Sequence, residues 1–238
     1  MAWTSPTPSA NCPSSASLRA TPEAVASVTL YGYQYSVYLR IVRMALLEKG
    51  VSWTHVEIDP FAETIAPDYL ALHPFGRVPT LKHDDFVLYE TTAITRYVDE
   101  VFAGKPLQPS DVRARARMNQ IIAIADSYGY WPMVRQVFSQ RAFNAALGRT
   151  PDETAIADGL AASRKVLAAL EPLAEGERFL VGSALSLADL HLGAMVAYFA
   201  AAPEGNAALA DFPRLSAWWA VMKDRRSMAE TAPGLPRA

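Results

Sequence analysis

Gly76-Arg77-Val78-Pro79-Thr80-Leu81-Lys82-His83-Asp84-Asp85-Phe86-Val87-Leu88-Tyr89-Glu90-Thr91-Thr92-Ala93-Ile94 is the stretch on which the fold of this chain turns. Val78 to Lys82 and Phe86 to Tyr89 are two short β-forming runs, and His83-Asp84-Asp85 between them suits a tight hairpin. The period then changes. From Thr91 to Phe102 the apolar residues Ile94, Tyr97, Val98 and Val101 share one helical face. An antiparallel hairpin therefore runs straight into an amphipathic helix.

The same punctuation continues outward. Towards the N-terminus, Val28-Thr29-Leu30-Tyr31 is a β-like run, and Val37 to Lys49 carries Leu39, Val42 and Leu46 at helical spacing. Gly50 sits just past that helix, where a left-handed residue ends it. Val51 to Ile58 reads as a second strand, and Pro67 to His73 as a short helix closed by Pro74. The order β-α-β-α-β-β-α over residues 28–103 predicts a two-layer α/β domain, with its first two strands parallel and its last two an antiparallel hairpin. Towards the C-terminus, residues 104–110 (GKPLQPS) have the composition of a linker, and beyond it strand signals stop. Residues 111–147, 152–175, 187–202 and 212–228 are rich in Ala and Leu at helical spacing, which predicts an all-α second domain over 111–238. The expected core includes Leu30, Val42, Leu46, Ile94, Val98, Leu187 and Leu190. Ser, Thr and Pro fill 13 of the first 27 positions, so residues 1–27 read as a disordered extension.

Composition narrows the function. With 22 Lys+Arg against 24 Asp+Glu, the net charge of −2 gives no broad basic field for nucleic acid or an anionic membrane. The longest apolar run, Leu192 to Ala202, is 11 residues, too short to span a bilayer as a helix. No basic start followed by an apolar core marks a secretory signal. A single cysteine, Cys12, excludes a disulfide framework and a CxxC redox pair, and His55, His73, His83 and His191 never fall at metal-ligand spacing. These features predict a cytoplasmic protein with no metal site.

Three junctions carry chemistry. Ser36 opens the first helix, where a serine normally caps an orphan backbone N–H; the partial positive charge of a helix start also favours an anion, and a hydroxyl donating to a bound thiolate lowers the thiol pKa. Val78-Pro79 opens a strand, and a cis bond there would present the Val78 N–H and C=O to an extended peptide. Glu90-Thr91 lies at a strand-to-helix junction, with Thr91 a good N-cap. Glu90 can accept from an ammonium group while Thr91 and the first helical N–H groups hold a carboxylate, which together match a free amino-acid terminus.

Gly76-Arg-Val-Pro-Thr-Leu followed by Glu90-Thr91-Thr-Ala-Ile resembles the glutathione-binding half of the cytosolic glutathione transferases. Phe179-Leu-Val-Gly-Ser-Ala-Leu-Ser186-Leu-Ala-Asp189 resembles that family's capping box and hydrophobic staple, in which Asp189 reaches back to the Ser186 N–H. The resemblance spans residues 28–228 and implies a thioredoxin-like domain joined to a helical domain, in a homodimer. It implies glutathione as co-substrate, activated as a thiolate and added to a hydrophobic electrophile. Ser36 falls where serine-type classes such as theta, zeta and phi keep their activating hydroxyl, with Tyr31, Tyr33 and Tyr35 as rivals. Val78 and Pro79 match the segment that pairs with the cysteinyl part of glutathione, and Glu90 and Thr91 match the γ-glutamyl clamp. Two departures stand out. Where phi-type enzymes carry a His-Lys pair for the glycyl carboxylate this chain has Thr64-Ile65, which leaves Arg77 to supply the charge, and the zeta-type Ser-Ser-Cys signature is absent. Other glutathione-dependent chemistry on the same scaffold (dehalogenation, isomerisation, hydroperoxide reduction) and a non-catalytic binding module are the alternatives.

An electrophile pocket is expected where the first long helix of the second domain carries Ser127-Tyr128-Gly129-Tyr130-Trp131-Pro132, with a kink at Pro132. Successive helical side chains lie about 100° apart, so these aromatics cannot all face one core. Tyr128 and Trp131, three residues apart, are expected to share the cleft-facing side, together with Tyr33 and Tyr35 from the first loop. Tyr130 is expected to point elsewhere.

Overall fold

The computed structural model describes residues 27–236; the expectation for residues 1–26 lies outside them. The N-terminal half runs β1 (Val28–Gly32), α1 (Val37–Glu48), β2 (Thr54–Glu57), α2 (Pro67–Leu72), β3 (Thr80–His83), β4 (Phe86–Tyr89) and α3 (Thr91–Val101). Its sheet has the order β2-β1-β3-β4, with β1 and β2 parallel and the other two pairings antiparallel. The hairpin closes across Asp84 and Asp85, with His83 opposite Phe86. α1 ends as its Gly predicts. Gly50 has φ +68 and donates to the Leu47 carbonyl at 3.0 Å, while Val51 donates to Leu46 at 2.9 Å, so both last-turn carbonyls are satisfied.

The remainder is helical: α4 (Val112–Ile124), a π-helical segment (Ala125–Phe143), α5 (Asn144–Ala146), α6 (Glu153–Leu170), a 3-10 turn (Glu171–Leu173), α7 (Leu187–Phe199), α8 (Pro203–Ala210), α9 (Pro213–Met222) and α10 (Arg226–Glu230). Helix therefore continues through Pro132. The wider i→i+5 geometry accommodates a residue that has no N–H and whose ring collides with the i−4 carbonyl of an α-helix. α6 packs closely on this segment at Gly159, where a Cβ would stand 2.6 Å from the Gln136 Cβ.

The core residues expected from the sequence are all buried, and α1 lies between the two halves. Buried Arg40 of α1 donates to the Met228 carbonyl at 2.9 Å, and Lys49 pairs with Asp99 at 3.1 Å. At the start of α7 the buried Asp189 accepts from the Ser186 N–H and hydroxyl, the Leu180 N–H and the Trp218 indole. Burial pushes its carboxyl upward, and those donors oppose the shift.

Candidate functional site

The two halves enclose an open cleft of about 970 Å³, at the upper end of the range typical of small-ligand sites. Ser36, Arg77, Val78, Pro79, Glu90, Thr91, Tyr33, Tyr35 and Trp131 all line it. Tyr31 does not: its ring packs on Tyr69, 6.1 Å away between centroids.

Ser36 is the N-cap of α1, and its Oγ accepts from the Leu39 N–H at 3.3 Å. That bond uses a lone pair and leaves the hydroxyl proton to donate to a second partner. The Val37 and Tyr38 N–H groups belong to the first turn and have no intrahelical acceptor. The tyrosines nearby differ from Ser36 in surroundings. Burial, then the charges of Asp59, Tyr35 and Glu57, push the Tyr33 phenol upward, so its neighbourhood is electronegative. Burial likewise pushes the Tyr198 phenol up to about 12, and its hydroxyl donates to the Tyr35 carbonyl at 3.1 Å.

The Val78–Pro79 peptide bond is cis. Among the described residues neither the N–H nor the C=O of Val78 has a hydrogen-bond partner, so this edge is open to a ligand. Beyond the hairpin, the cap of α3 differs from the sequence expectation. Glu90 is the N-cap and Thr91 the first helical residue, because Glu90 holds φ +72 and ψ 113 and makes no side-chain cap bond. A non-glycine residue rarely enters that region, and such strain concentrates at ligand-binding positions. It leaves the Glu90 carboxylate and the first N–H groups of α3 facing the cleft.

Tyr128 is the residue that the sequence misplaced. It is 67% exposed and absent from the cleft wall, whereas Tyr130 lines the cleft with its ring 4.9 Å from that of Tyr38. Residues three apart share a face only when a turn takes 3.6 residues, and the π-helical turn is longer. Asp126, Tyr130, Val134, Phe138 and Phe143 accordingly recur on the cleft side at intervals of four to five. Sequence reasoning also missed Asp126, which accepts from the Thr92 hydroxyl at 3.2 Å and from the Nδ1 of buried His191 at 3.3 Å. It missed His73, stacked 4.5 Å from Tyr89, whose imidazole is held below its usual pKa by burial. Cleft-facing Arg135 and Arg149 were overlooked as well. An interval of four to five in polar and aromatic residues along the π segment is the signal that could have found Arg135; no sequence signal marks His73 or Arg149.

Trp131 lies on the cleft wall and is 62% exposed. Trp131→Ala is therefore expected to raise the KM of the expected hydrophobic electrophile several-fold and to leave both glutathione affinity and the melting temperature near wild type. A lower melting temperature with KM unchanged would mark Trp131 as a packing residue.

Residues 30–106 match the family model for the glutathione S-transferase N-terminal domain, and residues 130–225 match that for the C-terminal domain. A probable glutathione S-transferase of Oryza sativa subsp. japonica is 30% identical over 210 residues, covering 87% of this chain and 97% of the relative. Among solved structures, glutathione S-transferase III in apo form is similar, with TM-score 0.77 and 30% identity, over 90% of this chain and 100% of that one. Glutathione S-transferase I from mais, solved in complex with an atrazine glutathione conjugate, has TM-score 0.75 and 28% identity, over 87% of this chain and 96% of its own. The chain belongs to the glutathione S-transferase family.

Proposed function

We propose that this chain activates glutathione as a thiolate and joins the glutathionyl sulfur to an electrophilic aromatic compound. The observation that carries this reading is the convergence, on one cleft, of three chemically distinct features: the Ser36 hydroxyl at a helix start with its proton free to donate, the open Val78 backbone, and the strained Glu90 beside the start of α3. Their order suits the tripeptide. Glu90 accepts from the γ-glutamyl ammonium, while Thr91 and the first N–H groups of α3 hold the adjacent carboxylate. The Val78 N–H and C=O pair with the cysteinyl backbone as an added strand. Ser36 and the first turn of α1 then meet the sulfur. The thiolate forms a C–S bond at the electrophilic carbon, and the leaving group departs with its bonding pair. The similar structure from mais holds a conjugate of this kind, which supports the reading.

The test is direct: the purified chain is incubated with glutathione and a panel of activated aryl halides, and conjugates are read by mass spectrometry. Enzyme-dependent conjugate is expected; its absence across the panel would overturn the reading. The glycyl carboxylate is assigned to Arg77, which lines the cleft beside Val78. Arg77→Ala is expected to weaken glutathione binding about tenfold by isothermal titration, the scale of one charge-assisted hydrogen bond. Normal binding would show that another group holds this carboxylate.

We also propose a homodimer in the reducing cytoplasm, in which α3 and the helix formed by α4 and the π segment meet their mates across a two-fold axis. Tyr128, exposed on the outer side of the π segment, supports that contact. Light scattering is expected to return twice the 25.9 kDa chain mass, and a value of one chain mass would refute the dimer.

A further inference from the structure

The cleft is lined by two arginines from the second half of the chain, Arg135 and Arg149, that form no ion pair among the described residues. Four arginines of the described chain are ion-paired, all outside the cleft: Arg141 with Glu153 and Glu204, Arg164 with Asp211, Arg225 with Glu48, and Arg226 with Glu230. Arg135 and Arg149 both line the cleft, and among the described residues neither has a carboxylate or any other side-chain hydrogen-bond partner. Arg135 is half-buried, and its guanidinium lies 5.3 Å from the ring centroid of Phe61, which reaches the cleft from the segment between β2 and α2. Phe61 in turn meets the Tyr33 ring edge-on at 5.9 Å. Stacking fixes the plane of a guanidinium while leaving its N–H fork free to donate.

The carboxylates of the cleft are bonded elsewhere and form no ion pair with either arginine: Asp126 accepts from Thr92 and His191, and Asp59 accepts the Phe61 N–H at 2.9 Å. The same cleft has aromatic walls: besides Phe61 under Arg135, Trp131 lines it, and Tyr35 packs against Phe143 with ring centroids 5.3 Å apart. A neutral aromatic would fill these walls but dehydrate a guanidinium without replacing its water. A ring bearing an anionic group satisfies both, because charge-assisted bonds to guanidinium are roughly twice as strong as neutral ones and can be bidentate.

We infer that the electrophile this cleft selects is an anionic aromatic, a planar ring carrying a carboxylate or sulfonate that is held by Arg135 and Arg149. The inference rests on the transferase reading and specifies its substrate class. In the reaction with an aryl halide of this kind, the glutathione sulfur forms a bond to the activated ring carbon and the carbon–halogen bond breaks. The halide leaves with the bonding pair, the thiol proton passes to water, and the anionic substituent is unchanged.

The test uses 4-chloro-3-nitrobenzoate and its methyl ester, which share ring and leaving group. Each kcat/KM is divided by the uncatalysed rate constant of the same compound with glutathione, which removes their difference in intrinsic reactivity. The enzyme is expected to accelerate the benzoate at least tenfold more than the ester, and that preference is expected to fall at least tenfold in the double variant Arg135→Gln, Arg149→Gln. Equal acceleration of the two compounds, or a preference unchanged in the variant, would overturn the inference. So would a variant whose only defect is a raised KM for glutathione, since Arg135 would then serve the tripeptide. A second arm titrates 4-chloro-3-nitrobenzoate and the ester into glutathione-free protein by calorimetry, where no conjugation occurs. Benzoate binding that exceeds ester binding, weakens with salt and is lost in the double variant would uphold the anion site even if no electrophile were turned over, a result that would remove the transferase reading alone. No preference for the benzoate in this arm would overturn the site itself.

Discussion

Glu90→Gln is expected to weaken glutathione binding by about 30-fold, or ~2 kcal/mol, measured by isothermal titration. The figure is at the lower end for breaking a charge pair because Glu90 opens to solvent before the ligand arrives, so part of the ammonium's attraction is screened. Gln keeps the shape and length of the side chain and removes the charge, so the loss reports the ammonium contact rather than packing. The backbone provides an independent check. At φ +72 and ψ 113, Glu90 occupies a region that costs a non-glycine residue about 1–3 kcal/mol. Glu90→Gly removes that cost together with the carboxylate, and glycine's own loss of chain entropy offsets part of the gain. A net gain of ~1 kcal/mol corresponds to a melting temperature raised by about 2–4 °C for a chain of this size. Glu90→Gly is thus expected to be the more stable protein and the weaker binder. A lower melting temperature would mean that the local backbone is not strained and that the Glu90 conformation is not held for the ligand.

The N-terminal half was legible because its determinants are local. Its strand and helix periods, Gly50 past α1 and the Asp84–Asp85 turn each act over a few residues, and the observed elements follow the expected ones closely. In the helical half the order of helices was readable but their breaks were not. Residues 203–211 received no element, yet α8 occupies Pro203–Ala210; Pro203 stands at the first helical position, the signal that separates it from α7. The run 212–228 divides into α9 and α10, leaving Lys223 to Arg225 between them. Within the cleft, the residues called by chemistry at a junction (Ser36, Val78, Glu90) fall on one site, because a helix start or strand entry fixes where its side chain or backbone points. The residues called by helical phase did not all follow. Tyr128 faces outward and Tyr130 faces the cleft, because phase depends on residues per turn, and the change of turn from Ala125 onward is a property of the packed segment around Pro132 and Gly159. The cap of α3 failed for a related reason. Side-chain chemistry favoured Thr91, but the position is set by a left-handed backbone at Glu90 that residue preference does not reveal.

Ser36→Ala is expected to lower kcat at pH 7 by tenfold or more while changing the KM for glutathione little. A free thiol has a pKa near 8.5, so only a few per cent is thiolate at pH 7. A hydroxyl donating to the sulfur favours the anion, and each unit of pKa depression is worth about 1.4 kcal/mol. The tripeptide's remaining contacts do not involve Ser36, so the loss falls on the charged form and the rate rather than on binding. The sign of the pH effect follows. With the donor removed, the bound thiol's pKa rises, so the acidic limb of kcat moves to higher pH, by about one unit for a tenfold loss at pH 7. Above both pKa values the two profiles should approach each other. Ser36 also caps α1 through the Leu39 N–H, and Ala forfeits about 1 kcal/mol of that. Ser36→Asp separates the two roles: a carboxylate caps well, so the melting temperature should stay near wild type, but it places negative charge beside the sulfur and turnover should fall at least as far as in Ser36→Ala. Recovery of turnover along with the melting temperature would reduce Ser36 to a structural cap. Turnover unchanged in Ser36→Ala would move thiol activation to Tyr33 or Tyr35, the two tyrosines of this loop that reach the cleft.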